Sequence, residues 1–227
     1  MHQDAKSLFK SLFLNVSATN INFQMQNTAI LPLFYLPPVG YFSLLQKLGP
    51  DFLIEKHEHL TKQTYRNRAS IYSPNGKLDL TVPVVKGSKT HTKMKDVRIS
   101  YDFKWQRLHW LSLEGCYRSS AYFEYYEDEL SRFYHEKFEF LFDYNLELVE
   151  WLNKKLKLPI IMNTTSEYDE MVPAALDFRG MMNPKKEEDI VNNKPYFQVF
   201  EDRHQFLPNL SIVDLLFNQG PQARLYL

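Results

Sequence analysis

The feature that most restricts the fold is an apolar run, residues 29–36, that meets Pro37 and Pro38. Proline fixes φ and lacks a backbone donor, so the run predicts a buried strand that ends in a rigid loop. Residues 41–48 then carry apolar side chains at helical spacing, and Gly49 with Pro50 is a typical helix stop. The chain therefore opens as strand, loop and helix, with the loop at the carboxyl end of the strand, where α/β sheets commonly bind ligands.

A second strand signal surrounds the turn sequence Ser-Pro-Asn-Gly at residues 73–76. Segments 68–72 and 77–84 flank this turn, and Asn-Gly favours a hairpin because both residues tolerate positive φ. Pro83 lacks a backbone donor, which places the second strand at an edge or an end. The sequence predicts a β-hairpin here.

The middle of the chain is predicted to be helical. Apolar residues from 130 to 141 recur at helical spacing, and residues 146–156 indicate a further helix. An earlier helix begins near residue 104, and the side chains predicted to share its apolar face are Trp105, Leu108, Leu111 and Cys116.

The last third combines a loop with a short regular unit. Residues 160–195 are predicted to form a long, partly ordered loop, and residues 196–200 alternate like a short strand. Ser211 and Asp214 resemble a capping box before a helix that ends at Gly220. Strands followed by helices favour an α+β fold, with N-terminal strands and a β-hairpin, a helical middle region and a C-terminal strand-helix unit.

Composition restricts the partners and the compartment. The 27 basic and 27 acidic residues balance, which argues against a nucleic-acid coat or a polybasic membrane anchor. No apolar run approaches the ~18–20 residues of a membrane-spanning helix. The single cysteine, Cys116, cannot form an internal disulfide, so a reducing, cytoplasmic location is expected. Residues 1–28 are expected to be a flexible tail or a start codon assigned too early, and residues 29–227 one domain.

Residues 55–68 hold the richest polar cluster of the sequence. If this segment is extended, His57 and His59 share a face and could supply two metal ligands, although a third ligand is not identifiable. Two arginine guanidinium groups and a lysine could instead hold a phosphate or carboxylate, because a guanidinium can form two parallel hydrogen bonds. A further alternative is that the whole segment is a solvated strand edge with ordinary ion pairs. The cations of the anion-binding interpretation are Lys62, Arg66 and Arg68.

His109 is a second candidate, because it lies between Trp105 and Trp110 at a predicted helix start. An imidazole with a pKa near ~6.5 suits a general base, whereas a histidine hydrogen-bonded at the rim of the core is the structural alternative. Dinucleotide, P-loop, zinc-helix, paired-cysteine and nucleophile-elbow motifs are absent from the sequence. Cys116 lies on an apolar helix face, which indicates a packed core thiol.

Several of these segments resemble the WbqC-like family of bacterial proteins. The resemblance extends from about residue 29 to the end of the chain, with one departure: Pro32 and Leu33 stand where many members have Gln-Pro. The segments that carry it are Tyr-Leu-Pro-Pro-Val-Gly-Tyr-Phe at 35–42, Arg-Asn-Arg at 66–68, Leu-Thr-Val-Pro-Val at 80–84, and the stretch 206–220. The family is associated with O-antigen and other surface-polysaccharide gene clusters, and a glycine transferase role has been suggested for it.

The resemblance implies a transferase that attaches an amino-acid (glycine-type) or acyl group to a nucleotide-linked sugar. His59 or His109 would act as the base, because acyl transfer needs a proton acceptor as well as donors for the oxyanion. Lys62, Arg66 and Arg68 would bind phosphate, with Asn67 and Tyr35 as orienting donors; no cofactor is indicated. The alternatives are a non-catalytic protein that binds glycans or nucleotide sugars or assembles with partners, and a hydrolase with a metal at His57 and His59.

Overall fold

The chain forms strands first, helices in the middle and a helix near its C-terminus, which confirms the predicted α+β class. A computed structural model describes residues 28–61, 63–85, 92–180 and 194–227. The strands are β1 (Ala29–Pro32), β2 (Phe52–Glu55), β3 (Arg68–Ser73) and β4 (Gly76–Thr81). The helices are α1 (Val39–Leu48), α2 (Trp105–Tyr117), α3 (Phe123–His135), α4 (Leu141–Lys155), α5 (Glu201–His204) and α6 (Ile212–Gln219), with 3-10 turns at Met94–Asp96 and Gly220–Tyr226.

The strand predicted before the two prolines is the centre of a small parallel sheet. β1 and β2 pair in parallel, and α1 connects them as the sequence indicates. Single-residue parallel bridges join Ile30 to Asp177 and Ile54 to Thr164, so one further segment lies on each side. Both outer segments belong to the stretch predicted as a long loop. Four segments therefore run in one direction, and their carboxyl ends meet at one edge.

The predicted hairpin is confirmed, with a different turn. β3 and β4 are antiparallel in a register that pairs Ser73 with Gly76, so the two turn residues are Pro74 and Asn75. Gly76 alone of these takes a positive φ, at 93°. Proline pre-sets the first turn position, and the glycine then absorbs the conformation that a side chain would resist.

The prediction of one helix from Leu130 to Leu141 is wrong. α3 ends at His135 because Glu136 is extended, and α4 begins only at Leu141. Phe138, in the connection between them, still packs on the core, and its ring stacks on Phe133 with centroids 6.2 Å apart. The apolar pattern therefore continued across a break in the helix, since periodicity reports burial and not helix continuity.

The predicted apolar face of α2 is also wrong in part. Leu108 and Leu111 are 56% and 50% exposed. The buried face is instead formed by Trp105, His109, Leu113, Cys116 and Tyr117. His109 therefore occupies a core position, and Cys116 is the buried thiol that the sequence indicates, with its pKa raised by burial to about 11.

The C-terminal helix forms, but the strand predicted at residues 196–200 does not. Ser211 caps α6 through Val213 N. The capping box is incomplete, because the Asp214 carboxylate does not turn back to the helix start. It accepts hydrogen bonds from Tyr117 OH and Tyr196 OH, both at 2.8 Å, and from Gln198 Nε2 at 2.9 Å. These bonds hold residues 196–198, which have no regular secondary structure, against α6.

One cluster of buried hydrophobic residues extends from Ala29 to Ala223 and includes side chains of both strand pairs and of α1, α2, α3, α4 and α6. Within the described residues, no helix is both long and apolar enough to cross a membrane. The predicted tail at residues 1–28 lies outside the described part, apart from Thr28.

Replacement of Gly220 by alanine is expected to destabilise the fold by at least about 2 kcal/mol, because a β-carbon is strained at positive φ. Gly220 has φ 54°, and an added Cβ would lie 2.5 Å from the Tyr122 ring. Gly115 is the matched control, since it is exposed in α2 with nothing within 4 Å of its added Cβ. Gly115→Ala is expected to stabilise by about 0.5–1 kcal/mol. Urea unfolding measures both, and equal effects would contradict this account of Gly220.

Asp214 is expected to make the fold less stable as pH rises. Burial raises the pKa of this fully buried carboxyl from 3.8 to about 6, against the opposing effect of its three donors. A raised pKa means that the folded state prefers the protonated form, so this contribution is present below pH ~4 and is lost as pH rises through 6. The loss is about 3 kcal/mol at most. Asp214→Asn should remove it, which urea unfolding of both proteins from pH 4 to 7 would measure; parallel pH profiles would contradict it.

Candidate active site

Charged side chains gather at the carboxyl ends of the parallel segments. We call this group the arginine cluster; its members are Glu55, Glu58, Arg66, Asp177 and Arg179. Glu55 is the last residue of β2, and Asp177 is the residue that bridges to β1. The cluster therefore occupies the edge at which the opening strand, loop and helix predict a ligand site.

Arg66 and Glu58 form a buried ion pair with two hydrogen bonds. Arg66 Nε and Nη2 donate to the two carboxylate oxygens of Glu58 at 2.8 and 2.6 Å, and the two residues are 3% and 7% exposed. Arg66 Nη2 also donates to the carbonyl of Arg179 at 3.0 Å. The pKa of Glu58 is raised, because its burial outweighs the attraction of Arg66.

Arg179 forms the second bidentate ion pair of the cluster. Its Nε and Nη2 donate to the Asp177 carboxylate at 2.8 and 2.7 Å, and its Nη1 donates to the carbonyl of Asp169. The fork raises the pKa of Arg179 and lowers that of Asp177. The Tyr168 ring lies 4.6 Å from the guanidinium carbon. Arg179 thereby connects the cluster to the segment that precedes it.

Glu55 is only 1% exposed, and its two oxygens have different surroundings. Oε1 accepts hydrogen bonds from the backbone of His57 at 2.6 Å and from Thr165 Oγ1 at 3.1 Å. Oε2 accepts none, and Arg179 Nη1 lies 3.7 Å away, which is an ion-pair distance but too long for a hydrogen bond.

A second buried group surrounds Tyr35. We call it the aromatic cluster; its members are Tyr35, Trp105, His109, Tyr134 and Tyr144. The Tyr35 hydroxyl lies 3.0 Å from His109 Nδ1 and 3.0 Å from the Tyr134 hydroxyl, and His109 is 74 residues away along the chain. Within the same cluster, Trp105 Nε1 is buried and has no hydrogen-bond partner among the described residues.

Burial fixes the protonation states of the aromatic cluster. Desolvation lowers the pKa of His109 to about 4, against a smaller opposing effect of a hydrogen bond to the backbone of Thr81. The same desolvation raises the pKa of Tyr35 and of Tyr134 far above its ordinary value of 10. The imidazole is therefore neutral and the phenols are protonated throughout the physiological range.

The structure brings Tyr35 and His109 together, whereas the side chains of Arg66, Asn67 and Arg68 contact Glu58, the carbonyl of Val82 and Asp79. Phe34 and Tyr35 are adjacent in the chain but contact different clusters, since Arg66 lies over the Phe34 ring at 5.9 Å. The backbone of Tyr35 donates to the carbonyl of Tyr65 at 2.9 Å. The two clusters thus meet at the loop that follows β1.

The assumption of an extended segment from 57 to 68 is wrong. Residues 63–67 form turns, so Arg66 points into the arginine cluster while Arg68 reaches Asp79 on β4 at 3.8 Å. Asn67 Nδ2 donates to the carbonyl of Val82 at 3.0 Å and holds the end of the hairpin. His59 is exposed and forms an antiparallel bridge with Lys93. Lys62 lies outside the described residues.

Within the described residues, no group of three or more His, Cys, Asp or Glu side chains is arranged to hold a metal ion. His57 is half-buried, with its Nε2 shielded and unbonded. Sequence reasoning missed Glu55 and Glu58 as members of a site, although both lie in the polar segment it singled out. No sequence pattern pointed to Arg179 as a site residue, because it lies in a stretch that was predicted as an irregular loop.

Removal of one partner from the buried ion pair is expected to cost about 3–5 kcal/mol. Arg66→Met leaves Glu58 buried without its donors, whereas the double variant Glu58→Leu/Arg66→Met should recover most of the loss. The control is Arg98→Met, because Arg98 and Glu139 form an exposed pair at 2.7 Å that should contribute less than about 1 kcal/mol. Urea unfolding compares the three, and equal losses in Arg66→Met and Arg98→Met would contradict the buried pair's importance.

Comparison with known proteins agrees with the resemblance seen in the sequence. The chain is 27% identical over 228 aligned positions to a Mycobacterium tuberculosis (strain H37Rv) protein named uncharacterized protein Rv1507c, with 89% of this chain and 98% of that protein covered. No solved structure matches the chain significantly. The model of the WbqC-like protein family matches residues 34–180, a span that holds both clusters and ends one residue after Arg179. The chain therefore belongs to the WbqC-like protein family.

Proposed function

We propose that this protein transfers an amino-acid group of the glycine type, or another acyl group, to a nucleotide-linked sugar in surface-polysaccharide (O-antigen) biosynthesis. Membership of the WbqC-like family supports this class of reaction. The observation that carries the proposal is the contact of Tyr35 OH with His109 Nδ1, at 3.0 Å inside a buried cluster. We propose a cytoplasmic location, which the single cysteine favours.

Acyl transfer to a sugar hydroxyl or amine needs a proton acceptor and donors for the oxyanion. His109 is neutral at pH 7 because burial lowers its pKa to about 4, so its imidazole is ready to accept a proton. The Tyr35 and Tyr134 hydroxyls stay protonated because burial raises the pKa of each. In this proposal His109 takes the proton of the sugar hydroxyl or amine, and the two phenol hydroxyls turn from their present contacts to donate to the oxyanion. When the oxyanion collapses, the activating group of the donor leaves with the electron pair of its bond to the acyl carbon. The exposed His59 is the alternative base.

The nucleotide phosphate would bind to the cations beside the hairpin. Of the predicted cations that the structure describes, Arg68 fits this role better than Arg66, because Arg66 is forked to Glu58. The Arg68 guanidinium forms a 3.8 Å ion pair with Asp79, and its Nε has no hydrogen-bond partner among the described residues. In this proposal Lys62 adds charge for the phosphate, Asn67 orients the hairpin end beside it, and Arg66 positions the loop through its contacts with Glu58 and Phe34.

The experiment combines purified protein with activated glycine or acyl donors and a panel of nucleotide sugars, and detects the product by mass spectrometry. A product is expected, and its rate should be constant from pH 8 to 5 and fall as pH approaches the His109 pKa of about 4. His109→Gln should lower kcat by about 10²–10⁴, while exposed His135→Gln should not change it.

Folding of the His109→Gln protein is checked by circular dichroism before its rate is interpreted. A pH profile that falls near ~6.5, the value of free imidazole, would assign the base to another residue. No product from any donor and sugar with folded wild-type protein would contradict the proposed transfer.

A second candidate function is glycan or nucleotide-sugar binding without turnover, as in an assembly protein. One observation favours it: a surface groove of about 350 Å³ is lined by Tyr101 and Phe138 and by the cations Lys137 and Arg98, of which Arg98 is paired with Glu139. Sugar rings stack on aromatic faces, and such cations can hold an acidic sugar or a phosphate. His109→Gln tests the enzyme and Lys137→Ala tests the groove, so the two variants together separate the two functions. Unchanged affinity with lost turnover supports the enzyme, whereas lost affinity without any reaction supports the binder.

A further inference from the structure

We infer that Glu55 binds a protonated primary amine, so that the ligand of the arginine cluster carries an ammonium group. This assignment adds a class of ligand to the proposed function. It rests on the proposed function in one respect, which is that the amine belongs to the transferred group or to the accepting sugar. The chemistry is shared by an amino-acid α-ammonium group and by the amine of an amino sugar.

The first argument is the unpartnered oxygen of Glu55. The residue is 1% exposed, and its Oε2 accepts no hydrogen bond although Oε1 has two donors. Buried carboxylate oxygens are costly to leave without donors, and folded proteins rarely do so. An ammonium group is small and carries three N–H donors, so one of them can reach a single shielded oxygen.

The second argument is that neither arginine of the cluster can take over this task. Arg66 uses Nε and Nη2 on Glu58, and Arg179 uses Nε and Nη2 on Asp177. The remaining nitrogen of Arg179, Nη1, donates to the carbonyl of Asp169 and stays 3.7 Å from Glu55. Both guanidinium groups thus make their bidentate contacts with other carboxylates, and the second N–H of Arg179 Nη1 is too far from Glu55 for a hydrogen bond.

The third argument is the charge of the arginine cluster. It contains three carboxylates, Glu55, Glu58 and Asp177, and two guanidinium groups, Arg66 and Arg179, so with all five ionised one negative charge is in excess. A buried excess charge favours a ligand of opposite sign. A monocation with N–H donors satisfies both the charge and the free oxygen, whereas an anion would satisfy neither.

Access to Glu55 requires its cover to move. Arg179 is 3.7 Å from Glu55 and contacts the Tyr168 ring, and Tyr168 is 45% exposed. Residues 166–171 on the same segment are all exposed. The cover is thus a surface segment that Arg179 fastens to Asp177 and to the carbonyl of Asp169, and not a layer of the core.

The test measures binding by isothermal titration calorimetry, without turnover. Glycine and glucosamine carry the amine, whereas N,N,N-trimethylglycine and N-acetylglucosamine are matched controls that lack an ammonium N–H group. We expect at least one amine to bind wild-type protein at least ten-fold more tightly than its control. Binding of glycine alone would identify an amino acid as the source of the amine, and binding of glucosamine alone an amino sugar. Equal or absent binding of amines and controls would overturn the assignment.

Glu55→Gln removes the negative charge with almost no change of shape, and it should weaken binding of the amine at least ten-fold. Glu139→Gln is the matched control, because its side chain is 57% exposed and lies in a surface ion pair. Unchanged binding in folded Glu55→Gln protein would overturn the assignment. If this variant does not fold, the wild-type comparison of amines with their controls still decides. Amine binding without any transfer product would support the amine site at Glu55 and contradict the proposed function. Transfer without amine binding would support the proposed function and contradict the amine site.

Discussion

The fork between Arg66 and Glu58 is the interaction on which the arrangement at the sheet edge depends. It is buried, and it ties the turn before the hairpin to the chain that leaves β2. The third bond of Arg66, to the carbonyl of Arg179, extends this tie to the segment beside β1. A buried arginine without its carboxylate is strongly unfavourable, so these three parts of the chain have to assemble together. The position of Phe34 beside the guanidinium, and hence the loop that carries Tyr35, follows from it.

Local chemistry in the sequence predicted much of the fold. Prolines, glycines and the spacing of apolar residues located β1, α1, the hairpin and the start of α2, because backbone restrictions act within a few residues. The same reasoning failed where tertiary contacts decide. It placed Leu108 and Leu111 in the core and ran one helix through the break at Glu136. It also had no means to see that two residues of an irregular stretch, Thr164 and Asp177, complete a parallel sheet.

The candidate site was likewise predictable in its individual residues but not in their contacts. Tyr35 and His109 were each singled out on their own, and only the fold reveals that they share a hydrogen bond. Arg66 was recognised as a cation for an anionic ligand, but its partner Glu58 changes what it can do. Sequence alone gives the chemistry of a side chain and not its neighbours, which decide whether a charge is free or already paired. Arg179 was missed because a single arginine in a loop has no pattern around it.

The outer segments of the parallel sheet have a consequence for how this chain folds. Ile30 pairs with Asp177, which follows it by 147 residues, so a large part of the chain has to be synthesised and collapsed before this contact can form. Closure of so long a loop costs conformational entropy before the contact contributes any stabilisation. Such contacts therefore form late in folding. A nascent chain that ends before residue 179 would contain the hairpin and α1 to α4, but it would lack α5, α6 and Arg179. Its sheet edge would be unfinished, so completion of that edge separates a collapsed chain from one able to bind a ligand there.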